Sequence, residues 1–311
     1  MNYEEFKKIL EERLKDYLPQ EYQAKISAID KTNGKVDGVV FEGEKLKNGS
    51  PVIYVETLYK AYEETKDLDK ILKELGNQFE EIIGQMPDIE NFMNKEFVKQ
   101  NVVFQLINTE QNKEKLGEVV HREFMDLSIV YRVIVKSNDE GVSGGMIHKD
   151  LAKALGFSEQ ELFECAKENI QRMFPLVAKD MGEMLGELEG GVDLQPIGMY
   201  VITNTSGING AVGMLYDDKL SEVAEKLNSD LYIIPSSIHE VLVIKAEEGM
   251  INEVSKMISE VNNNNDVVRK EDVLSNQPYF YNKMFHNIST TKGNNIITET
   301  LINSPAKRRK E

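Results

Sequence analysis

The stretch "SGINGAVGMLYDDKL", residues 206–220, joins two predicted elements in the C-terminal third of the chain. Gly207, Gly210 and Gly213 follow one another at a spacing of three and precede an apolar run rather than a helix. A dinucleotide fingerprint has the spacing GxGxxG. A phosphate loop places its glycines at a helix N-terminus, where free N–H groups bind the anion. The stretch therefore predicts a glycine-rich hairpin with "GAVGMLY" as a strand, and no nucleotide site.

Outward from this stretch, strands and helices alternate in the order ββαββα over residues 199–285. The strands are "MYVITN", "GAVGMLY", "LYIIP" and "IHEVLVIKA", and the helices cover residues 217–228 and 249–262. A helix between "GAVGMLY" and "LYIIP" predicts that these two strands are parallel and joined by a right-handed crossover. We expect an α+β fold, in which an N-terminal helix and β-hairpin region packs on a mixed α/β body that ends in this unit.

Turn-forming residues and shifts in composition divide the chain into four predicted regions. Residues 1–95 hold an amphipathic helix, a hairpin around Asn33-Gly34 and further helices. Residues 96–198 form a strand and helical region, and residues 199–285 form the ββαββα unit. Residues 286–311 are polar and rich in Asn and Thr, so they are expected to be a disordered tail.

Composition places the chain among ordinary globular proteins, with 41% hydrophobic and 29% charged residues in 311. Membrane-spanning runs of about 18 apolar residues are absent from the sequence. The first 18 residues lack the apolar centre of a signal peptide, so we expect a cytoplasmic protein. The single cysteine, Cys165, excludes an intrachain disulfide and is interpreted as a small buried hydrophobe on a helix.

The net charge of the chain limits the classes of partner that it is expected to bind. The chain carries −16, and its last five residues, "KRRKE", are basic, so the remainder is more acidic still. An acidic body repels nucleic acid and anionic lipid, and neither is an expected partner. The basic end is either a solvated terminus or a local contact for an acidic partner. The expected partner is an unknown protein or small molecule.

The four histidines of the sequence are candidate metal ligands or bases. His121 and Glu123 are two apart in a predicted strand and share a face, but two side chains do not make a metal site. His148 is interpreted as a helix-start residue and His286 as an exposed residue opening the tail. No metal or cofactor is expected from the sequence.

The segment "PSSIHEV" holds a serine, a histidine and an acid, which invites comparison with a hydrolase. Ser237 and His239 lie two apart on one predicted strand, where the base would not approach its nucleophile from another element. A GxSxG elbow is not present. A polar turn entering a buried strand is the alternative interpretation.

The predicted strand directions bring the ends of two parallel strands to one edge of the sheet. Open α/β sheets bind ligands at such an edge. The residues expected to line a small polar pocket there are Asp217, Asp218, Ser236, Ser237, His239 and Glu240. The glycine stretch would lie at the opposite end. Asp217 or Asp218 could instead simply cap the helix.

The order of several segments resembles a known family. They include "PVIYVETLYKAYEE", "NVVFQLINTEQN", "HREFMDLSIVYRV", "GFSEQELFECAKENI", "YIIPSSIHEVLVI" and "DVLSNQPYFY", with "YVITN…NGAVGMLYDDKLSEVAEKL" among them. The chain is similar over residues 1–285 to an uncharacterised bacterial domain of unknown function (family 5688), found mainly in Gram-positive anaerobes. A second uncharacterised family is distantly similar. The resemblance implies a bacterial cytoplasmic protein and brings no established activity.

Two hypotheses about function remain. The first is a non-catalytic cytoplasmic binding or protein-interaction protein, for which no catalytic residue is assigned. The alternative is a small-molecule enzyme, a hydrolase or a metal-dependent enzyme, with its polar site at residues 217–218 and 236–240. Convergence of His239 and Glu240 with Asp217 and Asp218 would discriminate between the two.

Overall fold

The computed structural model describes residues 1–46, 50–84, 89–138, 141–191, 194–265, 267–291 and 296–305. Helices and three antiparallel sheets make up these residues, which confirms the α+β class. The chain divides into two compact units, Met1–Asn91 and Phe92–Glu311. The boundary expected after residue 95 lies close to this division.

The first unit packs three helices against one face of a three-stranded sheet of order β1-β2-β3. Its elements are α1 (Tyr3–Leu14), β1 (Gln23–Lys31), β2 (Gly34–Glu42), β3 (Val52–Tyr54), α2 (Val55–Thr65) and α3 (Leu68–Gly84). The predicted hairpin is present, and Asn33 supplies the positive φ of its turn, whereas Gly34 already pairs with Lys31 in the ladder. Apolar residues of α1 and α3 at helical spacing form the core with Val39 and Phe41.

The second unit begins with a four-stranded sheet in which β6 is central. Its elements are α4 (Lys95–Asn101), β4 (Val102–Asn108), α5 (Lys113–Glu118), β5 (His121–Phe124), β6 (Leu127–Asn138), β7 (Gly141–Met146), α6 (Lys149–Leu155) and α7 (Glu159–Met173). Ser158 and Glu161 form a capping box at the start of α7, a pattern readable from their spacing of three. β5 and β6 form a hairpin, and Met125 in its turn takes a positive φ.

A seven-stranded sheet of order β14-β13-β12-β10-β11-β9-β8 completes the second unit. Its elements are β8 (Leu176–Asp180), α8 (Met181–Leu188), β9 (Met199–Asn204), α9 (Asp217–Leu227), β10 (Leu231–Ile234), β11 (Val241–Lys245), α10 (Ile251–Asn262), β12 (Tyr279–Asn282), β13 (Asn287–Thr290) and β14 (Thr298–Thr300). Apolar faces of both sheets and of α7 and α9 share one core.

The prediction that "GAVGMLY" forms a strand is wrong. Gly210–Leu215 is a 3₁₀ helix, and every one of its residues is buried. A Cβ on Gly213 would lie 2.5 Å from Ile202 Cγ2, so the glycine lets this helix pack closely on β9. The expected parallel pair therefore does not form, and β10 has antiparallel neighbours on both sides, β11 and β12.

The prediction of a disordered tail over residues 286–311 is wrong for the part that the structure describes. β13 pairs with β12 and β14 with β13, and the side chains of Ile288, Leu301 and Ile302 are buried. The few apolar residues of this polar segment are buried because β13 pairs with the edge of β12 that would otherwise be unpaired. Residues 292–295 and 306–311, with the basic "KRRK", lie outside the described residues.

Among the helices described, none is both long and apolar enough to cross a membrane.

Candidate functional site

The structure divides the six residues of the predicted polar site between two places. Asp217 begins α9 and contacts Tyr281, which pairs with Leu231 at the start of β10. Residues 236–240 follow the other end of β10, and Asp218 is exposed beside Asp217. The reason is the direction of the chain, since the 3₁₀ helix that replaces the expected strand carries Asp217 away from residues 236–240.

Asp217 forms a cluster with Tyr281 and His286, residues that are distant in sequence. The hydroxyl of Tyr281 donates to Asp217 Oδ1 at 2.7 Å, and His286 Nδ1 lies 3.0 Å from Asp217 Oδ2. The Asp217 side chain is 5% exposed and that of His286 is 31% exposed. A buried carboxylate thus holds a histidine whose ring reaches the surface.

Burial raises the pKa of Asp217, while the hydrogen bond from Tyr281 and the proximity of His286 oppose this rise. Burial and the neighbouring carboxylate raise the pKa of Tyr281, which therefore remains a hydrogen-bond donor at neutral pH. His286 Nδ1 lies between two oxygen atoms, the Asp217 carboxylate at 3.0 Å and the Tyr281 hydroxyl at 3.2 Å, which together orient the ring. Nε2 has no hydrogen-bond partner within the described ranges and can accept from a ligand or exchange a proton with one.

The turn that carries His286, residues 282–286, is fixed by its own hydrogen bonds. Asn282 Oδ1 accepts from the backbone N–H groups of Met284 and Phe285 at 3.0 and 2.9 Å. The N–H of His286 donates to the Asn282 carbonyl at 2.9 Å. His286 has φ 51°, a left-handed conformation that is uncommon outside glycine. We refer to this segment as the 282–286 turn.

Neighbouring segments anchor the same turn from both sides. The N–H of Lys283 donates to Asp230 Oδ1 at 2.8 Å, and the hydroxyl of Ser304 donates to the His286 carbonyl at 3.0 Å. Met284 and Phe285 nevertheless point outward, at 79% and 62% exposure. Two large apolar side chains are therefore presented on a rigid turn beside the Asp217 cluster.

His239 has both ring nitrogens engaged. Nδ1 accepts from the backbone N–H of Asn209 at 3.3 Å, and Nε2 lies 3.6 Å from Asp272 Oδ1. Ser237 Oγ accepts from the His239 backbone N–H at 3.0 Å and is not in contact with the ring in the described hydrogen bonds. This arrangement anchors the loop and does not place a base on the serine.

Ser236 and Glu240 complete this loop. Ser236 is buried, and its carbonyl accepts from the N–H of Leu274. Burial raises the pKa of Glu240, and proximity to His239 and a hydrogen bond with Ser237 oppose the rise. These contacts make residues 236–240 a tightly packed polar corner.

The glycine stretch lies against this same loop, whereas it was expected at the opposite end. A Cβ on Gly210 would lie 2.5 Å from the His239 carbonyl oxygen, and the N–H of Ala211 donates to the Ile238 carbonyl. Gly210 is thus required for close approach of two backbones, not for a positive φ. The spacing of the three glycines in the sequence does not predict this contact.

The remaining histidines have local roles. His148 is the N-cap residue of α6, as predicted, and His121 Nδ1 lies 3.2 Å from the Val119 carbonyl. No group of three His, Cys, Asp or Glu side chains suited to a metal ion occurs within the described residues. His286 differs from expectation, since it is half-buried in the Asp217 cluster. The available signal was "YFYNKMFHNI", in which the four residues "KMFH" separate two short runs that alternate in burial.

Replacement of Glu240 by glutamine tests the burial of this carboxyl. Because its pKa is raised in the folded chain, the folded state binds a proton more readily than the unfolded state. Relative to Glu240→Gln, the native protein should gain free energy of unfolding as pH falls from neutral towards the ordinary pKa of 4.5, and gain no more below it. Urea unfolding across this range measures the difference. Glu253→Gln on the exposed face of α10 is the control, and a difference that is flat or of opposite slope contradicts the prediction.

Comparison with known proteins agrees with the resemblance drawn from the sequence. The family described as "Family of unknown function (DUF5688)" matches residues 3–283. No curated protein and no solved structure matches the chain. The distant similarity to a second family stays a prediction. Because the match covers far more than half of its 311 residues, the chain belongs to the DUF5688 family, for which no activity is established.

Proposed function

We propose that the chain is a non-catalytic, cytoplasmic, bacterial binding protein that engages a protein partner through the 282–286 turn. The observation that carries the proposal is the exposure of Met284 and Phe285 on a turn held by surrounding hydrogen bonds. Isolated exposed apolar residues are common in soluble proteins. Met284 and Phe285 are adjacent, and it is contiguous exposed apolar surface that marks interaction sites.

Preorganisation is what suits the turn to binding. An interface loses affinity when side chains and loops must be ordered on association. The backbone of the turn is already fixed by Asn282, by Asp230 and by the Asp217 cluster, so docking Phe285 would order little more than its side chain. Large aromatic residues that enter a pocket on the partner dominate the energy of many interfaces.

The chemistry of the partner follows from the charge of the chain. An apolar pocket would receive Phe285 and Met284. The net charge of −16 favours a partner whose pocket is rimmed by basic residues, because opposite potentials accelerate and orient association. Affinity should consequently fall with added salt.

A photo-cross-linking residue at position 284, expressed in the source cell, should trap one main protein. The same residue at position 296 is the matched control, because Ile296 is also largely exposed but lies outside the turn. With the trapped protein purified, Phe285→Ala should weaken binding by about tenfold or more, the scale of an interface hot spot. Ile296→Ala should leave binding unchanged. Equal products from both positions, or full affinity of Phe285→Ala, would contradict the proposal.

A proton-transfer enzyme is the second candidate, favoured by the contact of His286 with buried Asp217. A histidine oriented by a carboxylate through one nitrogen, with the other nitrogen free, has the geometry of a general acid or base. His286→Gln discriminates between the candidates. If the turn only binds, His286→Gln changes the affinity for the trapped protein. The native chain and the variant then both leave that protein chemically unaltered. A modification of the partner made by the native chain and lost in His286→Gln would favour the enzyme.

A further inference from the structure

A polar cleft lies between the C-terminal end of α4 and one face of α7, with a volume of about 410 Å³. Pockets of about 300–1,000 Å³ hold small molecules in proteins. Residues of α7 at the spacing i, i+3, i+4 and i+7, which share a helix face, form one wall: Cys165, Glu168, Asn169 and Arg172. The last three residues of α4 form the other wall: Lys99, Gln100 and Asn101. The lining predicts a polar ligand.

Hydrogen bonds between the two helices fix these walls. The buried Asn169 side chain donates to the carbonyls of Lys99 and Val102, both at 2.8 Å. Arg172 Nη2 donates to the Gln100 carbonyl and to Asn169 Oδ1. These carbonyls belong to the end of α4, where the helix itself supplies no donors. The guanidinium group is thereby oriented, while its Nε and Nη1 have no partner in the part of the chain that the structure describes.

Charges of both signs line the cleft. Lys99 and Arg172 are cationic and Glu168 is anionic, and none of the three forms an ion pair with another described residue. An arginine held by one edge presents the rest of its fork to a carboxylate, with which it forms strong charge-assisted bonds. Glu168, one helical turn before Arg172, suits an ammonium group. We propose that this cleft binds a small zwitterionic ligand of the free α-amino acid class, with its carboxylate on Arg172 and Lys99 and its ammonium group on Glu168.

Cys165 makes this proposal accessible to measurement. It is the chain's single cysteine and lies half-buried on the cleft wall. Burial raises the pKa of its thiol, so this cysteine is less nucleophilic than an exposed one and is used here as a reporter. A ligand in the cleft would cover the thiol and slow its reaction with an added alkylating reagent.

The experiment follows alkylation of Cys165 by iodoacetamide on the full chain, with each protein amino acid added in turn except cysteine, because its own thiol would consume the reagent. At about 100 times the Kd of a binding amino acid, only about 1% of clefts are empty, so alkylation should slow by well over tenfold. The thermal midpoint should rise with the same amino acid. No protection by any of these nineteen amino acids, together with no rise in the thermal midpoint with any of the twenty, would overturn the proposal. Neither result bears on the 282–286 turn.

Variants that remove one charge each test which group of the ligand each side chain of the cleft contacts. Arg172→Gln should weaken binding of the protective amino acid by about tenfold or more, and Lys99→Gln replaces this variant if loss of the Arg172 bonds prevents folding. Glu168→Gln should weaken binding of the free amino acid and remove the preference over its N-acetyl derivative. Lys167→Gln, on the same helix but outside the cleft, should change neither. Equal effects of Lys167→Gln and Arg172→Gln would show a general charge effect and overturn the assignment.

Discussion

Gly210→Ala is expected to lower the free energy of unfolding by about 3 kcal/mol, the upper end of what overpacking costs in a tight interior. An added Cβ would lie 2.2 Å from Thr203 Oγ1, 2.5 Å from the His239 carbonyl oxygen and 2.7 Å from the Asn204 nitrogen. Two of these three atoms are backbone and cannot rotate away. Relief requires β9 and the loop before β11 to move apart, although Thr203 bridges them by donating to the His239 carbonyl at 2.8 Å. Urea unfolding monitored by circular dichroism measures the change.

Gly117→Ala is the matched control for this substitution. Gly117 lies in α5 with no atom within 4 Å of an added Cβ and no positive φ. Alanine there should be neutral or should stabilise by about 0.5–1 kcal/mol, because it lowers the entropy of the unfolded chain. If both variants have the same stability, the contact of the 3₁₀ helix with residues 238–240 is not tight, and the packing described for the glycine stretch is wrong.

Truncation after His286 is expected to be the most damaging change, leaving a second unit that is unfolded or largely so. It removes β13, β14 and three buried apolar side chains: Ile288, Leu301 and Ile302. Burial of each contributes about 1.5–3 kcal/mol, and the whole stability of a domain is only about 5–15 kcal/mol. The truncation also removes the Ile302 carbonyl and N–H that bond to Asp217 and Leu215. The segment that holds the buried Asp217 carboxylate at the start of α9 would therefore lose these two backbone hydrogen bonds.

Two shorter changes separate packing from length. A chain ending at Pro305 keeps the three buried apolar side chains and should therefore unfold at a higher urea concentration than the chain that ends at His286. Ile302→Ala keeps the length and should cost about 2–5 kcal/mol, through lost burial and the cavity left behind. Near-native stability of the chain that ends at His286 would contradict the packing of β13 and β14 and would restore the interpretation of this segment as a dispensable tail.

One wall of the cleft beside α7 could be predicted from the sequence, whereas the Asp217 cluster could not. Cys165, Glu168, Asn169 and Arg172 are spaced as one face of a helix that the sequence predicts, cap included. Their opposing wall, the end of α4, could not be assigned to that face without the fold. Asp217 and His286 are 69 residues apart, and neither belongs to a recognisable motif. Only the pairing of β12 with β10 and β13 brings them together.

Local features could be predicted from the sequence alone: the periodic helices, the capping box at Ser158, the strands around Pro235, the α+β class and the family. These depend on spacing and propensity within a few residues, which every segment carries with it. The tertiary structure alone decided the direction of the strands, the conformation of Gly210–Leu215, the packing of residues 287–291 and 296–302, and the partners of Asp217 and His239. A buried apolar run can be satisfied as a strand or as a helix, and a strand edge accepts whichever segment reaches it. The choice therefore depends on the surface that is available in the folded chain, not on the run itself.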